Sequence, residues 1–74
     1  MFDNRELCEE IGEFFGEFYE DVSGNLVIDN GDEEFTYRTE IELLKDWLPT
    51  LIESDETQQD DYWAEVIDYI RSIT

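Results

Sequence analysis

The sequence predicts a single α+β domain spanning residues 1–74, and three observations carry that expectation. Apolar side chains recur at helical spacing near both ends of the chain, an Asn-Gly pair sits between two β-prone runs in the middle, and no linker or internal repeat divides the chain. The expected order is an acidic N-terminal helix, a short antiparallel β-hairpin and two C-terminal helices. A third strand is the alternative for Glu17 to Val22.

Met1 to Asn4 open the first helix. Asp3 is placed to cap it, and Glu6 sits three residues on, at the positive end of the helix dipole. At about 100° per residue, Glu6, Glu10, Glu13, Glu17 and Glu20 share about 80° of arc, while Leu7, Ile11, Phe14, Phe15 and Phe18 gather on a neighbouring face. Gly12 and Gly16 weaken a helix by up to about 1 kcal/mol each, so either they admit a close neighbour or the helix stops early. If it stops at Gly16, Phe18, Glu20 and Val22 alternate with Tyr19 and Asp21 as a strand would. Because both stripes continue in register, the expectation is helix to about Tyr19.

Ser23, Gly24 and Asn25 read as a turn, followed by the branched run Leu26, Val27 and Ile28. Asn30-Gly31 and then Phe35 to Arg38 complete a hairpin signal, because both central residues of a type I′ turn need positive φ. Alternation places Phe35 and Tyr37 on one face, packed on the first helix, and Glu34, Thr36 and Arg38 on the other. Thr39-Glu40-Ile41-Glu42 matches a capping box and leads into Leu43, Leu44, Trp47 and Leu48. Pro49 has no N–H to donate and should end or kink that helix, with Leu51 and Ile52 favouring one further short turn. Ser54 to Gln59 reads as a polar, mobile loop. Tyr62, Trp63, Val66, Ile67, Ile70 and Ile73 then predict a last helix from about Thr57 to Ser72.

The chain has 22 acidic residues against four basic ones and no histidine, for a formal net charge of −18. A charge of that size excludes DNA and anionic membrane as direct ligands and calls for a strongly basic partner surface. An aromatic content of 15% argues against a disordered acidic tail. Halophilic adaptation and plain solubility also generate acidic surfaces, but halophilic adaptation would trim the large apolar side chains that this chain keeps. Without histidine the commonest general base and transition-metal ligand is missing, and Cys8 has no neighbouring base to activate it, so no catalysis, cofactor or metal is expected. Acids and Asn cluster from Asp29 to Glu34, yet neither Asp29 nor Asp21 starts a frame with the glycine and ligand spacing of a calcium loop. A lone cysteine suits a reducing cytosol, and there is neither an apolar run long enough to span a bilayer nor a basic-then-apolar leader, so a cytoplasmic location is expected.

Surface helices usually mix lysine with glutamate at i,i+4, where opposite charges help and like charges cost a few tenths of a kcal/mol. The opening stripe contains no base. It therefore reads as a row of carboxylates presented to a basic partner in place of phosphates, Glu6, Glu10, Glu13, Glu17 and Glu20 forming one edge. Asp29, Asp32, Glu33 and Glu34 on the hairpin supply a second cluster, and Asp60 and Asp61, with Asp55 and Glu56, a third. Tyr19, Tyr62 and Tyr69 are candidate shape-specific anchors.

In size, charge and element order, with a hairpin over Leu26 to Arg38 followed by an acidic helix from Glu40 to Trp47, the chain resembles the small acidic DNA-mimic proteins of phages and mobile elements, particularly anti-CRISPR proteins. The resemblance implies a non-enzymatic inhibitor in a bacterial host cell that occupies the duplex-DNA or protospacer-adjacent-motif site of a CRISPR effector. It rests on no motif, so it assigns no residue a role. An antirestriction mimic acting on a restriction enzyme, and an immunity protein or antitoxin neutralising a nuclease, use the same electrostatics as a monomer or homodimer. A third class is an acidic adaptor that would dock through Phe14, Phe18 or Trp47.

Overall fold

The computed structural model describes residues 2–74, so the expectation for Met1 lies outside it. The order is α1 (Asn4–Phe15), β1 (Glu17–Glu20), β2 (Leu26–Asp29), β3 (Glu34–Tyr37), α2 (Glu40–Glu53), α3 (Asp55–Gln58) and α4 (Asp61–Ile73). The strands form one antiparallel sheet in the order β1-β2-β3. The α+β class and the helix, sheet, helices order follow the sequence, and the third strand is formed.

The principal correction concerns residues 16–20. The opening helix ends at Phe15, four residues short of Tyr19, and Glu17 to Glu20 pair with Asp29 to Leu26. Backbone proximity is the cause. A Cβ on Gly16 would overlap the Asp29 carbonyl oxygen and lie 2.8 Å from Asn30 Cα, and one on Gly12 would overlap Phe18 Cβ. Both glycines therefore admit a close neighbour, and that neighbour is the chain folding back on itself. Gly16 N–H closes the helix on the Gly12 carbonyl at 2.8 Å, and the backbone then leaves as a strand.

The hairpin forms, but not with a type I′ turn. Gly31 has positive φ (97°), whereas no non-glycine residue among those described does. Asn30 closes the turn, donating its N–H to the Glu33 carbonyl. Its Oδ1 accepts from the N–H groups of Asp32 and Glu33. Gly31 and Asp32 are thus the two residues between the paired Asn30 and Glu33, with the glycine first.

The helix caps follow the sequence closely. Asp3 accepts from the Arg5 N–H, and Thr39 Oγ1 accepts from the Glu42 N–H at 3.2 Å. Glu42 reaches back one residue further than a capping box requires, accepting from the Arg38 N–H at 3.0 Å. Helix α2 runs through Pro49 to Glu53. The expected loop after it is partly the short helix α3. There Thr57, fully buried, sets its hydroxyl between the Leu51 and Ser54 carbonyls, and Gln58 donates to the Ile52 carbonyl. Those side chains satisfy the orphan carbonyls at the end of α2. Asp60, rather than Thr57, starts the last helix, accepting from the Tyr62 N–H.

The helices cover one face of the sheet. Leu7, Cys8 and Ile11 from α1, Leu26 and Ile28 from β2, Leu43, Leu44, Trp47 and Leu51 from α2, and Trp63, Val66 and Ile70 from α4 make the core. Phe35 and Tyr37 pack on α2, Phe35 lying edge-on to Trp47 at 5.5 Å and Tyr37 donating to Asp46. A continuous seam of rings joins the layers: Tyr69, Phe2, Tyr62, Trp63, Phe14, Phe15, Trp47 and Phe35, with successive centroids between 4.9 and 6.0 Å. No helix is long and apolar enough to cross a membrane among the described residues.

Cys8 is a packing residue. Its thiol is fully buried and faces the Glu40 carbonyl at 3.7 Å. Burial first, and the nearby Glu40 carboxylate second, push its pKa from 9.0 up to about 12.

Two outcomes test this packing. Gly16→Ala forces the strand away from Asp29 and should lower unfolding free energy by about 2 kcal/mol or more in a denaturant titration. At pH 8 an aromatic disulfide reagent should modify Cys8 only as fast as the protein unfolds. Because the folded thiol titrates above the unfolded one, its contribution to stability is complete below pH 9 and fades as pH rises toward about 12. Cys8→Ala should therefore flatten the alkaline fall in melting temperature while lowering the melting temperature at neutral pH.

Candidate interaction surface

The strand pairing brings together acids that the linear sequence separates. Glu17 is directly opposite Asp29, and Asp29 directly opposite Glu34, so one carboxylate from each strand forms a row across the whole sheet. Neighbouring strands lie about 4.8 Å apart, so the row spans about 10 Å. It lies on the face away from the helices. Ile28 and Leu26 point into the core, and the alternating positions Asp29 and Val27 point outward.

Like charges directly opposite each other on a sheet are destabilising, by up to about 1 kcal/mol per pair. A row built for stability would alternate sign, and here no cation interrupts it. Among the described residues the only ion pairs are those of Arg5, to Glu20 and, at 3.8 Å, to Glu40. Glu20 is thereby removed from the presented acids, its side chain on the α1 side of the sheet. The five-residue helical stripe is accordingly divided. Glu6, Glu10 and Glu13 stay on α1, Glu17 joins the sheet row, and Glu20 is neutralised.

Tyr19 is built into the row. It sits opposite Val27, and its hydroxyl reaches over β2 to donate to Glu34 Oε2 on β3 at 3.1 Å. The ring thus covers Val27, which is 2% exposed although it lies on the outer face. Partial desolvation, then the hydrogen bond to Glu34 and the Asp29 charge, raise the phenol's pKa above its ordinary value. Asp29 also holds the turn, accepting from the Gly31 N–H at 2.8 Å. Asp32 and Glu33 lie exposed in that turn, beside the end of the row.

A second group gathers around Tyr62. Its hydroxyl donates to Glu10 across the α1–α4 boundary, and burial, this bond and then the charges of Glu6 and Asp60 push its pKa up to about 12. Glu6, Glu10 and Asp60 thus share one locality, although Asp60 is also the α4 cap. Asp61 lies exposed in the first turn of α4. Tyr69 is half-buried, donating to Asn4 and packing on Phe2. Of the apolar docking candidates, Trp47 and Phe18 belong to the packed interior, and Phe14 is 38% exposed beside Trp63.

Sequence reasoning selected Glu17, Asp29 and Glu34 individually but in two different clusters. Their alignment has a local signature only once the strand Glu17 to Glu20 is recognised. The same carboxylates do not converge as a chelate: among the described residues no group of three or more His, Cys, Asp or Glu is arranged to hold a metal ion.

Removing charge from the row should stabilise the fold. Asp29→Asn keeps the acceptor for Gly31, and Glu34→Gln keeps one for Tyr19. Each should raise unfolding free energy by about 0.5 kcal/mol at low ionic strength, with the gain shrinking as salt is added. An equal or lower melting temperature for both variants would show that the row carries no repulsion.

Compared with known proteins, the chain matches no family model, no curated protein and no solved structure.

Proposed function

We propose that this protein is a non-enzymatic inhibitor that occupies the nucleic-acid-binding surface of a basic protein, its carboxylates standing where phosphates would lie. The observation that carries the reading is the uninterrupted Glu17–Asp29–Glu34 row, kept against its own repulsion on a face not needed for the core. Its spacing of about 5 Å is comparable to that of phosphates, which succeed one another every 3.4 Å or so along the axis of each DNA strand. Asp32 and Glu33 extend the charge beyond the sheet, and Glu6, Glu10 and Asp60 supply a second acidic locality on the helical side.

The preferred partner is a CRISPR effector, whose duplex-DNA groove is rich in lysine and arginine. With a net charge of −18 the protein is steered to such a groove over distances set by the Debye length, about 10 Å at 0.1 M salt. Charge mainly raises the association rate, while the rigid sheet fixes which cationic side chains can be met together. Like DNA, the inhibitor should bind progressively less well as salt rises.

The deciding measurement is displacement of a labelled DNA duplex, followed by fluorescence anisotropy, from an RNA-guided CRISPR effector, a restriction endonuclease and a non-specific nuclease. The protein should displace DNA from the effector, and the triple reversal Glu17→Lys, Asp29→Lys and Glu34→Lys should weaken it by about 100-fold or more with an unchanged circular dichroism spectrum. Undisturbed DNA binding by all three proteins, with the acidic protein in large excess, would overturn the reading.

A further inference from the structure

Strand β3 is an edge strand, and its outer side is unpaired. The Asn30 to Glu33 hydrogen bond sets the alternation, so Phe35 and Tyr37 face β2 with their backbone groups while Glu34 and Thr36 direct theirs outward. Among the described residues no group bonds to the Glu34 or Thr36 N–H.

A groove of about 590 Å³ runs along this edge, and its lining identifies where it lies. Four consecutive residues, Glu34 to Tyr37, form one wall. A groove on either face of the sheet would meet only alternate residues, so this one follows the free edge. The opposite wall is Glu42, Lys45, Asp46 and Pro49, one face of α2. Pro49 cannot supply the helical hydrogen bond to the Lys45 carbonyl, so an acceptor on that wall lacks its usual donor. Trp47, only 7% exposed, carries an indole N–H with no hydrogen-bond partner among the described residues.

We infer that the groove between β3 and α2 takes an extended, arginine- or lysine-bearing segment of the partner protein as a fourth strand, paired with the Glu34 and Thr36 backbone. Main-chain hydrogen bonds supply the grip and alternate side chains the specificity, as in strand addition generally. Glu34, Glu42 and Asp46 outnumber Lys45 around the groove and select a cationic segment. A second copy of this chain is disfavoured because it would bring two charges of −18 together. The inference rests on the proposal that the partner is basic, and it deepens that proposal by assigning the partner a strand.

The test uses an acetylated, amidated octapeptide of alternating arginine and valine, titrated into the isotope-labelled protein. Amide signals of Glu34 and Thr36 should move and their hydrogen exchange should slow. Of two peptide versions, N-methylated at every arginine or at every valine, one should bind about tenfold more weakly and the other unchanged, because only one set of N–H groups faces β3. Thr36→Pro removes an outward N–H without breaking the ladder and should weaken binding about tenfold, whereas Thr36→Val should not. Equal binding of both methylated peptides, or shifts confined to carboxylate side chains, would overturn strand addition and leave the acidic-surface reading intact. Self-association that Thr36→Pro abolishes would overturn it by giving the groove to a second copy. Edge-specific peptide binding without DNA displacement would uphold the groove and overturn the inhibitor reading.

Discussion

At Gly16 the chain passes against the backbone of Asp29 and Asn30 with no room for a side chain. That contact decides how far the first helix extends, and most of the remaining architecture depends on it. A longer helix would leave β2 and β3 as a two-stranded ribbon, which is marginal alone in water. By turning back at Gly16, the chain adds β1, covers Val27 with the Tyr19 ring and lets Phe18 close over Gly12. A sheet of three strands then has one apolar face, through Ile28, Leu26 and their neighbours, on which the helices settle.

The aromatic seam performs a related task for a chain too short to bury a large core. Rings from the N-terminal segment, α1, α2, α4 and β3 touch in succession, so elements distant in sequence share one packed line. Aromatic rings bring a large apolar area to such contacts. The tyrosines along and beside the seam direct their hydroxyls to carboxylate or amide oxygens: Tyr19 to Glu34, Tyr37 to Asp46, Tyr62 to Glu10 and Tyr69 to Asn4. Some of the acids are thereby solvated by phenols in place of lysines. Those carboxylates are held by hydrogen bonds without losing their charge to a cation.

The acidic row and the edge groove occupy adjoining parts of one sheet, sharing Glu34. The outer face offers side-chain charge, and the β3 edge offers backbone donors and acceptors. Edge strands are usually blunted by charge or cover to prevent uncontrolled pairing. Here Glu34 is the charge on that edge, and it repels other acidic chains.

Much of the fold was written locally. Asp3 and Thr39 have capping chemistry that acts within three residues, Gly31 supplies the one conformation the turn needs, and the apolar spacing from Tyr62 to Ile73 fixes the last helix whatever it packs on. The excess of carboxylates is likewise a property of composition. Residues 17–20 were different, because a helical stripe and a strand alternation both fit so short a stretch, and the choice lay in a contact with Asp29, 13 residues away from Gly16. The same holds for the alignment of Glu17, Asp29 and Glu34 and for the free edge of β3. Register and strand order are relations between segments, and only hydrogen bonding between them in the folded molecule determines which charges stand side by side.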